Sequence, residues 1–158
     1  MGKVTRPILP DVFSRKRLFD LLDRMRKRPL IWVSGPPGCG KTTLVASYLD
    51  ARRLPCLWYQ IDQGDADPAT FFYYLGLAAK KTAPRKRRSL PLLTPEYLQG
   101  ISTFTLRYFE NLYYRFKIPS ILVFDNYHEV PESSSFHARA GKESLSRRMV
   151  GKSSQGNL

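Results

Sequence analysis

The sequence predicts an α/β fold in which helices flank a parallel β-sheet. Apolar runs at residues 30–34, 56–61 and 120–125 have the length and nearly continuous apolar character of strands that are buried on both faces. Between these runs lie longer segments whose apolar residues recur at helical spacing. This alternation is typical of a parallel sheet, because each parallel connection must cross back over the sheet, usually as a helix.

The composition limits the class of protein. A chain of 158 residues has room for one domain with a core of its own. Its formal net charge of +13 suggests phosphate ligands, nucleic acid or a basic tail. The two cysteines, Cys39 and Cys56, are too few for a disulfide framework or a metal site and suit a reducing compartment. Because no apolar run approaches a membrane span and no signal core begins the chain, we expect a cytoplasmic protein without a membrane partner.

The first elements are an arm, a helix and a strand. Two prolines favour an extended arm over residues 1–14. A helix should follow, with Asp11 or Ser14 as its N-cap. Its apolar residues are Leu18, Leu21, Leu22 and Met25. Residues 30–34 then form the first predicted strand.

The next segment carries the strongest signal in the chain. Its sequence is Gly35-Pro36-Pro37-Gly38-Cys39-Gly40-Lys41-Thr42, which fits the phosphate-binding loop pattern G-x-x-x-x-G-K-[ST] between a strand and a helix. Glycines let consecutive backbone N–H groups surround a phosphate, and the start of the next helix adds its dipole. Lys41 would reach the β- and γ-phosphates of ATP, and the Thr42 hydroxyl would bind Mg²⁺.

A crossover unit is predicted after this loop. The helix that follows it has the apolar residues Leu44, Val45, Tyr48 and Leu49. Pro55 marks the break beyond the helix, and residues 56–61 form the second predicted strand. A strand, helix and strand in this order predict a right-handed connection in a parallel sheet.

A polar loop and a third helix come next. The loop at 62–68 contains three aspartates, but it lacks the closing Glu and central Gly of a calcium-binding loop. Asp67 followed by Pro68 is instead typical of an N-cap with proline at the first helical position. The helix core should contain Phe71, Phe72, Leu75, Ala78 and Ala79. The basic run at 80–88 is either a solvated linker or a segment that grips a nucleic-acid backbone.

The last predicted elements are a helix and a third strand. The helix should begin at Thr94 and Pro95 and end before Pro119. Its apolar residues are Leu98, Ile101, Tyr108, Phe109, Leu112 and Phe116. The strand at 120–125 ends in Asp125, which is the form of a Walker B strand that delivers a carboxylate to Mg²⁺.

These residues resemble a known family, the MalT-like signal-transduction ATPases (STAND class) of large LuxR-type bacterial regulators. Four features match in order: Arg15-Lys16-Arg17-Leu18 with Leu21-Leu22, the phosphate loop with Thr43-Leu44, the segment from Asp62 to Phe72, and Asp125-Asn126-Tyr127-His128. The resemblance runs from about residue 3 to about residue 137.

The resemblance implies a partial P-loop NTPase-type domain over residues 15–130, in which bound ATP or ADP acts as a switch. Arg15 and Thr43 would belong to the nucleotide site, with Arg15 on the side of the base, while Thr42 and Asp125 would hold Mg²⁺. In this family an inducer binds downstream helical repeats and a C-terminal helix-turn-helix binds DNA. DNA would therefore be contacted only by parts absent from this chain, and self-association stays open.

Two departures from the family leave other functions open. Asn126 stands where a second acidic residue is usual, and an amide cannot take a proton from the attacking water, so hydrolysis should be slow or absent. If Glu129 substitutes as the base, the chain is a stand-alone P-loop ATPase. A third interpretation is a nucleic-acid-binding fragment that depends on the basic runs.

The second departure concerns what the sequence lacks. The family's next strand, which lies between its first and third strands and carries a γ-phosphate sensor, has no counterpart. Residues 131–158 are rich in Ser, Gly, Lys and Arg, and we expect them to be disordered or translated out of frame. The expected product is a truncated domain of about three strands that is prone to aggregate. The inducer, the target promoter and the oligomeric state stay open.

Overall fold

A computed structural model of the chain describes residues 2–10, 12–82, 89–97, 99–116 and 120–129. Contacts divide these residues into two compact units. The first unit to be described comprises residues 8–53, and the second combines residues 2–7 with the described residues from 54 to 129. The α/β class is confirmed, because helices and a parallel sheet are both present.

The unit of residues 8–53 contains two helices, α1 (Lys16–Met25) and α2 (Lys41–Ala51). Both occur where the helical spacing predicts them. Phe19 packs edge-on against Tyr48 with ring centroids 5.5 Å apart. The Asp23 carboxylate accepts hydrogen bonds from Arg52 at 2.6 Å and from the Tyr48 hydroxyl at 2.8 Å. These two bonds, that of Arg52 first, hold the pKa of Asp23 below its usual value and tie α1 to α2.

The predicted strand at residues 30–34 is wrong, since this segment forms no β-ladder in the described part of the chain. Leu30 and Trp32 are 38% and 55% exposed, so the segment is not covered on both faces as expected. A strand exists only through hydrogen bonds to a neighbour, and no such neighbour lies beside this segment among the described residues. The sheet therefore has two strands among the described residues, where about three were predicted.

The second unit is built on the two strands β1 (Cys56–Gln60) and β2 (Ile121–Asp125), which pair in parallel. Cys56 lies opposite Ile121, and Gln60 lies opposite Asp125. Both strands occur at predicted positions, each one residue shorter than expected. Three consecutive residues of β1 are buried, whereas every residue of β2 is only partly buried.

Two further helices, α3 (Pro68–Thr82) and α4 (Ile101–Arg115), supply an aromatic core. The Phe72 ring lies 4.9 Å from that of Phe104 and 4.7 Å from that of Tyr108. The Tyr108 hydroxyl donates a hydrogen bond of 2.8 Å to the carbonyl of Phe72. The apolar residues predicted for α3 are buried: Phe71, Phe72, Leu75, Ala78 and Ala79.

Two helix starts test the predicted caps. Asp67 accepts hydrogen bonds from the Thr70 backbone N–H at 2.8 Å and from the Thr70 hydroxyl at 2.6 Å, which confirms it as the N-cap of α3. The Ser14 cap is wrong, because the N-cap position of α1 is Arg15 and no side chain caps it. Asp11 lies outside the described residues.

The last predicted helix begins later than expected. Residues 95–97 form a short 3₁₀ segment, and α4 starts only at Ile101. Gly100 occupies the N-cap position, and no side chain caps the start of this helix. Most of the basic run, at 83–88, and the tail at 131–158 lie outside the described residues. None of the helices in the described part of the chain has both the length and the apolarity to cross a membrane.

Candidate functional site

The predicted phosphate loop joins residue 34 to α2 through two left-handed glycines. Gly38 has φ of 74° and Gly40 has φ of 82°. Residues with a Cβ rarely adopt this conformation, so the turn depends on glycine at both positions. Gly40 is the N-cap of α2, and the helix begins at Lys41 without a capping side chain or an acidic residue in its first turn. Such a helix start favours the binding of an anion, because the first N–H groups of a helix have no partners within the helix.

Lys41 folds back over the loop that precedes it. Its Nζ donates hydrogen bonds to the carbonyls of Gly35 at 2.8 Å and Pro36 at 3.0 Å, and it lies 4.0 Å from the Cys39 Sγ. The ammonium group therefore lies against the loop itself. Thr42 and Thr43 follow in the first turn of α2, and both are partly buried.

Arg15 contacts the same loop from the start of α1. Its Nη1 donates a hydrogen bond of 3.2 Å to the Cys39 carbonyl. Its Nη2 would lie 3.1 Å from a Cβ placed on Gly40. The structure thus places a guanidinium group beside the loop, although 20 positions of sequence separate Arg15 from the first residue of the loop. Its role on the side of the base stays a prediction.

Asp125 ends β2 in the other unit. Its carbonyl accepts a hydrogen bond of 2.9 Å from the Ile61 N–H, and its carboxylate accepts one of 3.1 Å from the N–H of Asn126. Asn126 has φ of 57°, a left-handed conformation that asparagine tolerates better than most residues. Glu129 is exposed, and its carboxylate lies 3.3 Å from the His128 Nε2. Because Thr42 and Asp125 belong to different units, their joint role in Mg²⁺ binding stays a prediction.

A charged cluster that the sequence did not predict joins the arm to β1. The ammonium group of Lys3 lies 2.7 Å from the Asp62 carboxylate and 2.9 Å from that of Asp65. Asp65 is fully buried and also accepts a hydrogen bond of 2.6 Å from the Tyr59 hydroxyl. Burial alone would lower the pKa of Lys3, but the two carboxylates raise it above its usual value. Burial and then the bond to Asp65 raise the pKa of Tyr59 far above its usual value.

This cluster borders an open cavity of about 570 Å³ at the carboxyl ends of the two strands. The cavity is lined by Gly2, Lys3, Gln60, Ile61, Asp62, Gln63, Gly64, Asn126 and Glu129. One part of the cluster has a recognisable local sequence pattern, because Asp62 and Asp65 form a capping box around the 3₁₀ segment at 63–66. The contact with Lys3 had none, since it joins residues that are far apart in sequence.

Comparisons with known proteins place these features in a family context. The family model described as Nephrocystin 3, N-terminal, matches residues 11–139. The HTH-type transcriptional regulator MalT of Vibrio cholerae serotype O1 is 40% identical over 81 residues, which are 51% of this chain and 9% of that protein. MalT of Cronobacter sakazakii is 30% identical over 130 residues, which are 80% of this chain and 14% of that protein.

MalT of Yersinia enterocolitica is 28% identical over 156 residues, which are 94% of this chain and 17% of that protein. The chain therefore spans less than a fifth of the length of these relatives. No solved structure matches it significantly. The predicted resemblance to MalT-like regulators is confirmed by these relatives.

Proposed function

Because the chain belongs to the family defined by the N-terminal domain of nephrocystin 3, we propose that it is the P-loop nucleotide-binding domain of a MalT-like transcriptional regulator. Mg²⁺ and ATP or ADP bind at residues 35–43, and the bound nucleotide acts as a switch. DNA recognition belongs to a helix-turn-helix of the kind that the relatives' name, HTH-type transcriptional regulator, denotes. This function is proposed for the whole protein, of which the chain supplies the nucleotide site.

The shape of the loop at residues 35–40 carries this proposal. Two left-handed glycines turn the backbone immediately before α2, and the helix begins without an acidic residue that would repel an anion. Lys41 contributes a positive charge that already lies on the loop through its bonds to Gly35 and Pro36. An ordinary turn before a helix has no need of a lysine at this position.

The expected metal ligands suit Mg²⁺ in their chemistry. Mg²⁺ prefers oxygen ligands and is usually bound through one or two protein groups together with substrate phosphates. The Thr42 hydroxyl and the Asp125 carboxylate are such groups. When bound, Mg²⁺ neutralises phosphate charge, while the protein holds the nucleotide through the loop and Lys41.

Nucleotide titration of the full chain tests this function. We expect ATP and ADP to bind in the presence of Mg²⁺ and Lys41→Ala to lose at least about tenfold in affinity, which corresponds to about 1.4 kcal/mol. The reason is the loss of the ammonium group that would reach the β- and γ-phosphates. Calorimetry or a fluorescent ATP analogue measures the affinity, with an added chelator to test the metal requirement.

Lys27→Ala is the matched control, because Lys27 is an exposed lysine in the turn after α1 and its loss changes the net charge equally. Circular dichroism of each variant checks that it is folded. Equal affinities for the wild type and Lys41→Ala would contradict the proposal, as would equal losses in the two variants.

ATP turnover should stay close to background. The residue after Asp125 is Asn126, whose amide cannot accept a proton from the attacking water. The alternative base, Glu129, lies 3.3 Å from His128 on an exposed 3₁₀ turn. Steady-state phosphate release measures the rate, and Asn126→Asp should raise it. A wild-type rate of about 1 s⁻¹ or more would lie in the ordinary enzyme range and would show that another group acts as the base. Loss of that rate in Glu129→Gln would identify the group.

A further inference from the structure

We propose that residues 2–7 form a detachable strap, which closes when the Lys3 ammonium group enters a binding site for primary ammonium groups. The walls of this site, which together form the ammonium cage, are Tyr59, Asp62, Asp65 and Tyr74. Strap and cage belong to the same compact unit. The cage keeps its shape when the strap opens, so that it then accepts the ammonium group of another molecule.

The Lys3 ammonium group contacts two kinds of wall in the cage. It lies 2.7 Å from the Asp62 carboxylate and 2.9 Å from that of Asp65. It also lies 4.9 Å from the centroid of the Tyr74 ring and 5.7 Å from that of the Tyr59 ring. Carboxylates accept the N–H bonds of an ammonium group, while aromatic faces attract its charge. The cage therefore suits a primary ammonium group, which is a compact charge with three donors.

The walls of the cage are held by contacts in which the strap takes no part. The Asp65 carboxylate accepts hydrogen bonds of 2.6 Å from the Tyr59 hydroxyl and 2.9 Å from the Asp62 N–H. The Asp62 carboxylate accepts one of 2.9 Å from the Gly64 N–H. The Tyr59 ring packs edge-on against that of Phe71, with centroids 5.6 Å apart. Because none of these contacts involves Lys3, the two carboxylates stay in place when the ammonium group leaves.

The two carboxylates differ in burial. The side chain of Asp65 is 0% exposed, whereas that of Asp62 is 58% exposed. A buried carboxylate that loses its cationic partner is costly, so Asp65 favours a filled cage. The cage is open to solvent at Asp62, and an ammonium group can enter or leave there without unfolding of the sheet.

Two further hydrogen bonds attach the strap. The Gln60 N–H donates to the Lys3 carbonyl at 2.8 Å, and the Lys81 ammonium group donates to the Thr5 hydroxyl at 2.6 Å. Residues 2–7 form neither a helix nor a strand. Segments of this kind open locally at little cost in free energy. Opening of the strap breaks the bond to Gln60 and leaves the pairing of β1 with β2 intact.

Amide hydrogen exchange on the full chain tests the strap. The Gln60 N–H is bonded to the strap, whereas the Ile61 N–H is bonded to the Asp125 carbonyl within the sheet. We expect Gln60 to exchange through a local opening that depends little on urea, and Ile61 through a larger opening that urea promotes. Lys3→Ala should accelerate exchange at Gln60 at least about tenfold more than at Ile61. Lys27→Ala, which removes an exposed lysine, should change neither.

Chemical rescue tests the cage. Lys3→Ala leaves the cage without its ammonium group, so ethylammonium should raise the Tm of this variant to a plateau and leave the wild type unchanged. Tetramethylammonium has the same charge but no N–H donor, and it should not raise the Tm. Ethylammonium should not restore protection at Gln60, because it is not joined to the strap.

Two results would overturn the proposal. Equal exchange of Gln60 and Ile61 in the wild type at every urea concentration would show that the strap opens only when the sheet unfolds. Equal effects of the two cations on Lys3→Ala, or no effect of either, would remove the cage. If Lys3→Ala is unfolded, the two cations are compared by the circular dichroism that they restore, and ethylammonium alone should restore it.

Discussion

At the scale of single residues, Arg15 makes a contact that is open to two interpretations. Its guanidinium donates to the Cys39 carbonyl, so it either only supports the loop or also contacts the base of the nucleotide. We predict the second role. Arg15→Ala should then weaken the binding of Mg²⁺-ATP several-fold more than the binding of inorganic tripolyphosphate, because tripolyphosphate has no base and reports only the loss of loop support.

Calorimetry with both ligands separates the two interpretations. Arg17→Ala is the matched control, since Arg17 is an exposed arginine of α1 and its removal changes the charge equally. A loss for tripolyphosphate as large as the loss for ATP would assign Arg15 to loop support alone.

The residues of the loop could be predicted because their pattern is local. Gly38, Gly40 and Lys41 lie within a few positions of one another, and their spacing alone predicts the turn and its charge. The contact of Lys3 with Asp65 could not be predicted, because a lysine in an irregular arm carries no periodicity that would indicate its partner. A buried carboxylate needs a partner, but the sequence does not show which one it finds.

At the scale of elements, Gly76 explains how α3 and α4 fit together. A Cβ at this position would lie 3.3 Å from the Tyr108 hydroxyl oxygen, which donates to the Phe72 carbonyl one turn earlier in α3. Alanine favours a helix interior over glycine by about 1 kcal/mol. Disturbing a buried hydrogen bond costs about 1–3 kcal/mol. We therefore predict that Gly76→Ala gives no net gain in the free energy of unfolding.

The same substitution should behave differently without the hydroxyl group. In a Tyr108→Phe background, Gly76→Ala should stabilise the chain by about 1 kcal/mol, because only the helix preference remains. Urea unfolding of the four proteins of this double-mutant cycle measures the difference. An equal effect of Gly76→Ala in both backgrounds would show that the hydroxyl group does not determine the choice of glycine.

Helices were easier to predict than strands for a physical reason. The hydrogen bonds of a helix lie within the helix, so α1, α2 and α3 follow from local spacing, and α3 also from its Asp67 cap. A strand depends on a partner elsewhere in the chain. The apolar runs at β1 and β2 pair with each other. Residues 30–34 have a similar apolar pattern but form no ladder among the described residues.

At the scale of the whole molecule, the net charge of +13 should produce some affinity for any polyanion. We predict that duplex DNA of random sequence binds weakly at low salt. If about six phosphates are contacted, the affinity should fall by roughly a thousandfold between about 50 and about 200 mM salt, because counterions are released on binding. Fluorescence anisotropy of a labelled duplex measures this dependence.

Nucleotide binding provides the comparison. The affinity for Mg²⁺-ATP should change much less over the same salt range, and Lys41→Ala should leave DNA binding unaltered within error. DNA binding that is tight, specific in sequence and lost in Lys41→Ala would instead make the loop part of a nucleic-acid site and favour the basic-fragment interpretation.

The bonds that Lys41 makes to Gly35 and Pro36 have an energetic consequence for the proposed nucleotide binding. The ammonium group bridges two carbonyl oxygens, and it would have to exchange them for phosphate oxygens if the loop binds a nucleotide. Lysine thus connects the ends of the turn before it contacts a ligand. Its net contribution to nucleotide affinity would then be the difference between its bonds to phosphate and the two bonds that it gives up in the loop.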